Sequence, residues 1–158
     1  MPQPNNYQPP KNRCINQPFI VVGCLIEQDE KFLLVEENGK YNLPQGWLEL
    51  GEELATGAKR EAEEETGLEV KIFGLNGIYT LIKQQPEKTL HKIKFIFQAR
   101  LTGKNKTGGS PLPYTWFSLK DIKSDQVPLW DIDTIDIIER SKNTSNNLDL
   151  CSSYFKTE

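Results

Sequence analysis

The chain is poor in the residues that build metal-thiolate sites, disulfide frameworks and membrane spans. It has one histidine, His91, and three cysteines, Cys14, Cys24 and Cys151. The cysteines are odd in number, far apart and without a CxxC pair, so they supply neither a disulfide framework nor a zinc site; free thiols of a reducing compartment are expected. Cys24, inside an apolar run, is expected in the core. No apolar run reaches the roughly 18 residues of a membrane span, and no N-terminal stretch has the apolar centre of a signal peptide. Surplus positive charge is also missing. The net charge is −3 and the pI about 5.3, which gives no sign of a nucleic-acid polymer as partner. A cytoplasmic protein without a membrane partner is expected.

What is present is an ordinary globular composition, 37% hydrophobic and 26% charged over 158 residues, the size of one domain. Residues 1–17, rich in Pro, Asn and Gln, are expected to form a flexible arm. Residues 18–142 are expected to form the domain, and 143–158 a polar tail. "PFIVVGCLIE" reads as a strand buried on both faces, joined through "QDEK" to "FLLVEE" as a hairpin. Pro44 and Gly46 exclude a helix in "YNLPQGW". A helix is expected over about Glu53–Thr66, stopped by Gly67. "LEVKIFGLNGIYTLIK" gives one or two strands with Gly74 and Gly77 as breaks or bulges. "HKIKFIFQARL" alternates as a strand, and "TGKNKTGGSPLP" is a loop. After the strand "YTWFSL", the spacing of Ile132, Ile135 and Ile138 predicts a second amphipathic helix. The order of strands, helix, strands, helix suggests an α/β sandwich with a mixed sheet.

The first helix carries "REAEEETG" at residues 60–67. At about 100° per residue, Glu61 and Glu65 fall within about 20° of Leu54, near Ala58 and Ala62 on the face meant for the sheet. Glu64 borders that face, and Glu63 points to solvent. Like charges partly buried together are costly without a cation among them. Arg60 supplies one charge, too little for three carboxylates and Glu52. Two explanations stay open at this point: a charged surface helix with accidental spacing, or a divalent metal. The donors are hard oxygens, which suits Mg²⁺ or Mn²⁺ rather than zinc.

From Gly46 the chain reads "GWLELGEELATGAKREAEEETGL". This resembles the Nudix box, Gly-x5-Glu-x7-Arg-Glu-U-x-Glu-Glu-x-Gly-U with U apolar, and it matches at every specified position, with Ala62 a small choice for the first U. The strand order resembles the Nudix α/β/α sandwich more weakly over residues 18–142. The resemblance implies hydrolysis of a pyrophosphate bridge in a nucleoside diphosphate derivative, by water, with Mg²⁺ or Mn²⁺. It implies Glu61, Glu64, Glu65 and the Gly46 carbonyl as metal ligands, and Arg60 paired with Glu52 or Glu61 to aim the carboxylates. Glu52 at the helix start also suits the dipole. Gly57 is expected to allow close approach of the loop. The general base is Glu61, a water at the box, or an acidic residue of a later loop; no Asp or Glu lies between Glu87 and Asp121, which favours the first two.

Subfamily signatures are mostly absent. Lys83 stands where the ADP-ribose type has proline, with Pro86 slightly late, and Gln84 and Gln85 stand near the tyrosine of the diadenosine polyphosphate type. "LPQG" echoes the polyphosphate hydrolases, but Trp47 follows. What remains resembles the MutT-like group, acting on nucleoside tri- or diphosphates, sometimes oxidised. Where some members carry phosphate-gripping arginines this chain has Glu36 and Glu37, so either Lys40 substitutes or the phosphate grip differs. In "PLWDID", Trp130, Asp131 and Asp133 are candidates for stacking on a base and reading its edge; the other explanation is a core Trp130 with Asp131 capping the last helix. Trp47 is a candidate border of the substrate, Trp116 is expected in the core, and His91 is expected to be structural. A broad phosphatase-like enzyme and a non-catalytic nucleotide sensor remain as other functions, and homodimer formation is left open.

Overall fold

The computed structural model describes residues 18–87 and 89–143, and the backbone of 152–157. Cys14, Cys151 and the arm at 1–17 lie outside the described residues. The elements are β1 (Phe19–Gln28), β2 (Lys31–Glu37), β3 (Lys40–Asn42), β4 (Gln45–Trp47), α1 (Leu54–Thr66), β5 (Leu68–Gln84), β6 (Thr89–Asn105), β7 (Tyr114–Ser118), α2 (Leu119–Lys123), α3 (Thr134–Lys142) and β8 (Ser152–Thr157). They form the expected mixed sheet, in the order β3-β2-β1-β6-β5-β8, with β4 also pairing β1 and β7 pairing β2.

β1 is the centre of the assembly. Asp29 and Glu30 both take positive φ, which makes the two-residue turn that folds β2 back on β1. That pairing holds only beside the turn, at Glu27↔Phe32 and Gln28↔Lys31. The two strands then diverge, and β1 pairs instead with β4 through Val21↔Trp47, Val22↔Gly46 and Gly23↔Gln45. Along its other edge β1 runs parallel to β6, from Phe19↔Lys92 to Ile26↔Ala99. β1 is buried on both faces, as its unbroken apolar run implies.

Alternation along β1 sorts the core into two layers. Val22, Cys24 and Ile26 face Ala58 and Ala62 of α1. Leu25 faces the other way, to Tyr79, Ile96, Ile122, Ile137 and Ile138 under α2 and α3. Small residues on α1 bring its backbone close enough for the Cys24 thiol to donate to the Ala58 carbonyl at 3.4 Å. Gly67, at φ 70°, closes α1 by donating its N–H to the Glu63 carbonyl. β5 is one strand whose register shifts fall beside Gly74 and Gly77, the expected bulge positions.

Three expectations need correction. β6 runs on to Asn105, which pairs Leu68, so the following loop starts later than its composition suggests. Glu63 does not point to solvent; it is buried, because the chain reverses at Gly67 and the Val70 N–H donates to its carboxylate at 3.2 Å. The last helix starts at Thr134, leaving Ile132 outside it and 39% exposed. Asp131 and Asp133 on either side are drawn inward by Lys94, so the residue between them turns out. Ser152–Thr157 pairs parallel with β5, from Tyr79↔Ser152 to Gln84↔Thr157.

Burial, reinforced by the charge of Glu63, pushes the Cys24 thiol up to about 12. Iodoacetamide at about pH 8 is therefore expected to spare the Cys24 peptide in folded protein and to modify it after denaturation, as read by mass spectrometry. Labelling of folded protein at the free-thiol rate would contradict this placement.

Candidate active site

Arg60 organises the loop that precedes α1. Its Nε and Nη2 donate to the two carboxylate oxygens of Glu52 at 2.8 and 3.0 Å. Nη1 reaches Glu61 at 2.7 Å and Glu64 at 3.4 Å, and Nη2 also donates to the Trp47 carbonyl at 3.1 Å. Glu52 in turn accepts the Glu49 N–H at 3.1 Å. The Arg60 hydrogen bond holds the Glu52 carboxyl below its ordinary value, against a smaller opposing effect of desolvation. Glu52 is thus spent on Arg60 rather than on capping α1, whose N-cap is Glu53 with no side-chain cap bond.

Two glycines allow this closeness. A Cβ on Gly46 would stand 2.2 Å from Glu61 Oε2, and one on Gly57 would stand 2.7 Å from Glu52 Oε2. Any other residue at either place would push the carboxylate or the loop away. Gly57 therefore serves the close approach its mid-helix cost suggested.

The carboxylates differ in their surroundings. Glu61 is partly buried beside Gly46, and burial raises its carboxyl although Arg60 opposes the shift. Glu65 accepts the Gln45 N–H at 3.0 Å. Burial pushes it up to about 7, only partly offset by that hydrogen bond. Glu64 is 48% exposed. Among the described residues no three acidic, histidine or cysteine side chains converge into a preformed metal cage. Glu61 leans to Arg60 and Glu65 to Gln45. The donor set nonetheless fits a hard divalent cation: carboxylates from one helix meet the Gly46 loop, and burial raises two of them.

Beside these groups opens a cavity of about 290 Å³. Gly46, Trp47 and Glu65 line it on the carboxylate side, with Lys83, Lys92, Trp130 and Asp131 also on its wall. Trp47 is 52% exposed and packs edge-on against Phe19 at 4.6 Å. Trp130 is fixed by its Nε1 donating to the Glu37 carbonyl at 3.0 Å, and Lys40 Nζ lies 4.9 Å over its ring. Lys40 thus braces an aromatic wall and is not among the lining residues.

The two aspartates proposed to read a base edge differ in position: Asp131 lines the cavity and Asp133 does not. Asp133 is fully buried, accepts from Lys94 Nζ at 2.8 Å and does not line the cavity. Asp131 lines it, but its oxygens already accept from Lys94 at 2.7 Å, Lys92 at 3.2 Å and Gln45 Nε2 at 3.2 Å. Lys83 adds an ion pair at 3.2 Å. Burial favours a neutral Asp131, yet Lys94, Lys92 and Lys83 together hold it well below the usual carboxylate range. At Asp133 burial prevails over Lys94, and the carboxyl is raised. The lysines escaped the sequence reading. The alternation of β6 placed Lys92 and Lys94 on one face but could not show that residues 129–133 cover it.

The family model described as NUDIX domain matches residues 17–138. The chain belongs to the Nudix family. It is 32% identical over 117 residues to a protein of Methanocaldococcus jannaschii named ADP-ribose pyrophosphatase, covering 71% of this chain and 69% of that protein. It is 44% identical over 89 residues to the Escherichia coli protein named Phosphatase NudJ, covering 54% of this chain and 56% of that one. A solved Nudix hydrolase from Nitrosomonas europaea superposes with a TM-score of 0.68 at 30% identity, covering 80% of this chain and 89% of that one. A MutT protein from Bacillus halodurans shares the fold, with a TM-score of 0.69 at 23% identity over 88% of this chain and 90% of that one. This Nudix protein is accordingly an enzyme, a hydrolase, and among the described residues no helix is long and apolar enough to cross a membrane.

Replacing Asp131 by Asn leaves three lysines around one aspartate. Urea unfolding at pH 7 is expected to show a loss of about 3–5 kcal/mol. A depressed carboxyl contributes stability above its unfolded value of about 3.9 and loses it as pH falls further. The gap between wild type and Asp131→Asn is therefore expected to narrow below about pH 4; a gap independent of pH would contradict the charge assignment.

Proposed function

We propose that this Nudix hydrolase cleaves the pyrophosphate linkage of a nucleoside tri- or diphosphate derivative, with water attacking phosphorus and Mg²⁺ or Mn²⁺ as cofactor. The observation that carries the reading is the Arg60-centred carboxylate group on the Gly46 loop, opening onto a cavity with aromatic walls and lysines.

The metal would be held by Glu61, Glu64, Glu65 and the Gly46 carbonyl, where it would supply charge neutralisation of the pyrophosphate and a more acidic water. The chain's own groups do the rest. Arg60 fixes the direction of Glu61 and Glu64 relative to the loop, so the carboxylates need not reorganise when charge develops. Glu61, or a water held at the box, serves as the general base, since no acidic residue of the 106–113 loop competes for the role. Trp47 and Trp130 offer flat surfaces to a base or another ring of the substrate.

A second reading, a phosphatase-like enzyme on small pyrophosphates, is supported by the 44% identity to the protein named Phosphatase NudJ. A nucleotide panel with Mg²⁺ or Mn²⁺, read by phosphate and pyrophosphate release, separates the two through the products formed. Glu65→Gln and Glu64→Gln are each expected to lower turnover by about two to four orders of magnitude with an unchanged circular dichroism spectrum. Gly46→Ala is expected to lose about two orders, because its methyl group displaces Glu61. Full turnover in the presence of EDTA, or in Glu65→Gln, would overturn the metal assignment.

A further inference from the structure

Exposed apolar side chains gather at one place beside the box. Among the described residues six large apolar side chains are exposed, and three of them, Phe19, Trp47 and Leu50, line one open groove of about 540 Å³. Single apolar residues scattered over a surface are ordinary, whereas several along one groove mark a docking face. Leu50 is 92% exposed, so this face has no cover among the described residues. Phe19 and Trp47 form its aromatic part, with ring centroids 4.6 Å apart and planes inclined at 62°.

Two acidic residues stand on the same wall, Glu49 and Glu52. Glu52 is bound by Arg60. Glu49 is exposed, and the ion pairs of Arg60 are to Glu52, Glu61 and Glu64 rather than to it. Among the described residues no lysine or arginine lines the groove. An occupant must therefore bring apolar groups for the rings and a cation for Glu49.

The chain itself supplies such a segment. Pro18, the first of the described residues, is on the groove wall, and residues 1–17 are attached there. They hold four prolines, Tyr7, Lys11 and Arg13, and no Asp or Glu. Two consecutive prolines, Pro9 and Pro10, favour the polyproline II form, which loses little entropy on binding and fits grooves lined by aromatic rings. Lys11 follows directly with the charge that Glu49 calls for. Residues 11–17 join Pro10 to Pro18, and at about 3.3 Å per residue they span roughly 23 Å when extended. That length allows a reversal at Asn12 or Asn16, a residue type suited to turns. A second copy fits less well: its own groove would bring another Glu49 and no cation. The arm is also tethered at the groove, which gives it a high effective concentration there.

We propose that residues 7–11 of the chain's own N-terminal arm dock in the groove of Phe19, Trp47 and Leu50, with Pro9 and Pro10 on the rings and Lys11 paired to Glu49. Trp47 also lines the cavity beside the carboxylates, so the docked segment steadies a side chain that the substrate meets. That consequence rests on the hydrolase reading above; the docking itself does not.

The test uses full-length protein with Cys14→Ser, Cys151→Ser and Asn6→Cys, carrying a nitroxide on the introduced thiol; Cys24 is buried and is spared. In isotope-enriched protein the nitroxide is expected to broaden the NMR signals of the Leu48 and Gly51 amides and the Trp47 indole. Enriched protein without nitroxide, mixed with unenriched labelled protein, is expected to show no broadening. Broadening in the mixture would assign the groove to a second copy and overturn the proposal. Tethering alone brings the label near the groove, so the specific contacts decide. Lys11→Glu is expected to lower the docked fraction about threefold, the modest effect of an exposed ion pair, and the addition of Glu49→Lys to restore it. Pro9→Ser together with Pro10→Ser is expected to lower it about tenfold. Broadening that either variant leaves unchanged, or that Glu49→Lys fails to restore, would overturn the docking. In Lys11→Glu the KM for the hydrolysed nucleotide is expected to rise about threefold at constant kcat. An unmoved KM would overturn the link to Trp47. Docking without hydrolysis of any nucleotide would support the groove assignment while refuting the hydrolase reading.

Discussion

The five-donor fork of Arg60 is the constraint on which the site depends. One guanidinium ties the loop carbonyl of Trp47, the loop carboxylate of Glu52 and the helix carboxylates of Glu61 and Glu64 into a single rigid group. A lysine offers the same charge but not the planar set of directions needed to hold Glu52 by both oxygens. The arrangement settles how like charges can crowd on α1: Arg60 offsets part of their repulsion, while burial still raises Glu61 and Glu65.

A second charged group works by the opposite rule. Lys94, Asp131 and Asp133 are buried almost completely and pair with one another, which holds residues 129–133 on the sheet. Their contribution lies in placement more than in net stability, since a buried ion pair recovers little beyond its desolvation cost. With that segment fixed, Trp130 stands at the cavity and α3 begins at Thr134. The two groups meet at Gln45, which binds Glu65 through its backbone and Asp131 through its side chain.

Much of the site was legible because its spacing is local. Gly46, Glu52, Arg60, Glu61, Glu64 and Glu65 lie on one loop and one helix, where helical periodicity decides which side chains can meet. Periodicity misled at Glu63, because its burial comes from the reversal at Gly67 and the return of β5, events outside the helix. The partners of Asp131 and Asp133 lay beyond its reach for a related reason. Those partners are lysines some forty residues earlier, on another strand. The mixed sheet followed from strand order and alternation, whereas the switch of β1 from β2 to β4 depends on non-local pairing that no window of sequence contains.

The parallel pairing of β1 with β6 has a kinetic consequence. Phe19 finds Lys92 about seventy residues along the chain, across a helix and a long strand, and such closure is slow because its entropy is lost before contacts repay it. Gly46 reaches its position by pairing with Val22 of β1, and α1 packs on that same strand. The acidic helix and its loop are therefore held in place by β1, a segment outside the box. Excised as a peptide, residues 46–68 would carry every side chain of the box and none of its architecture.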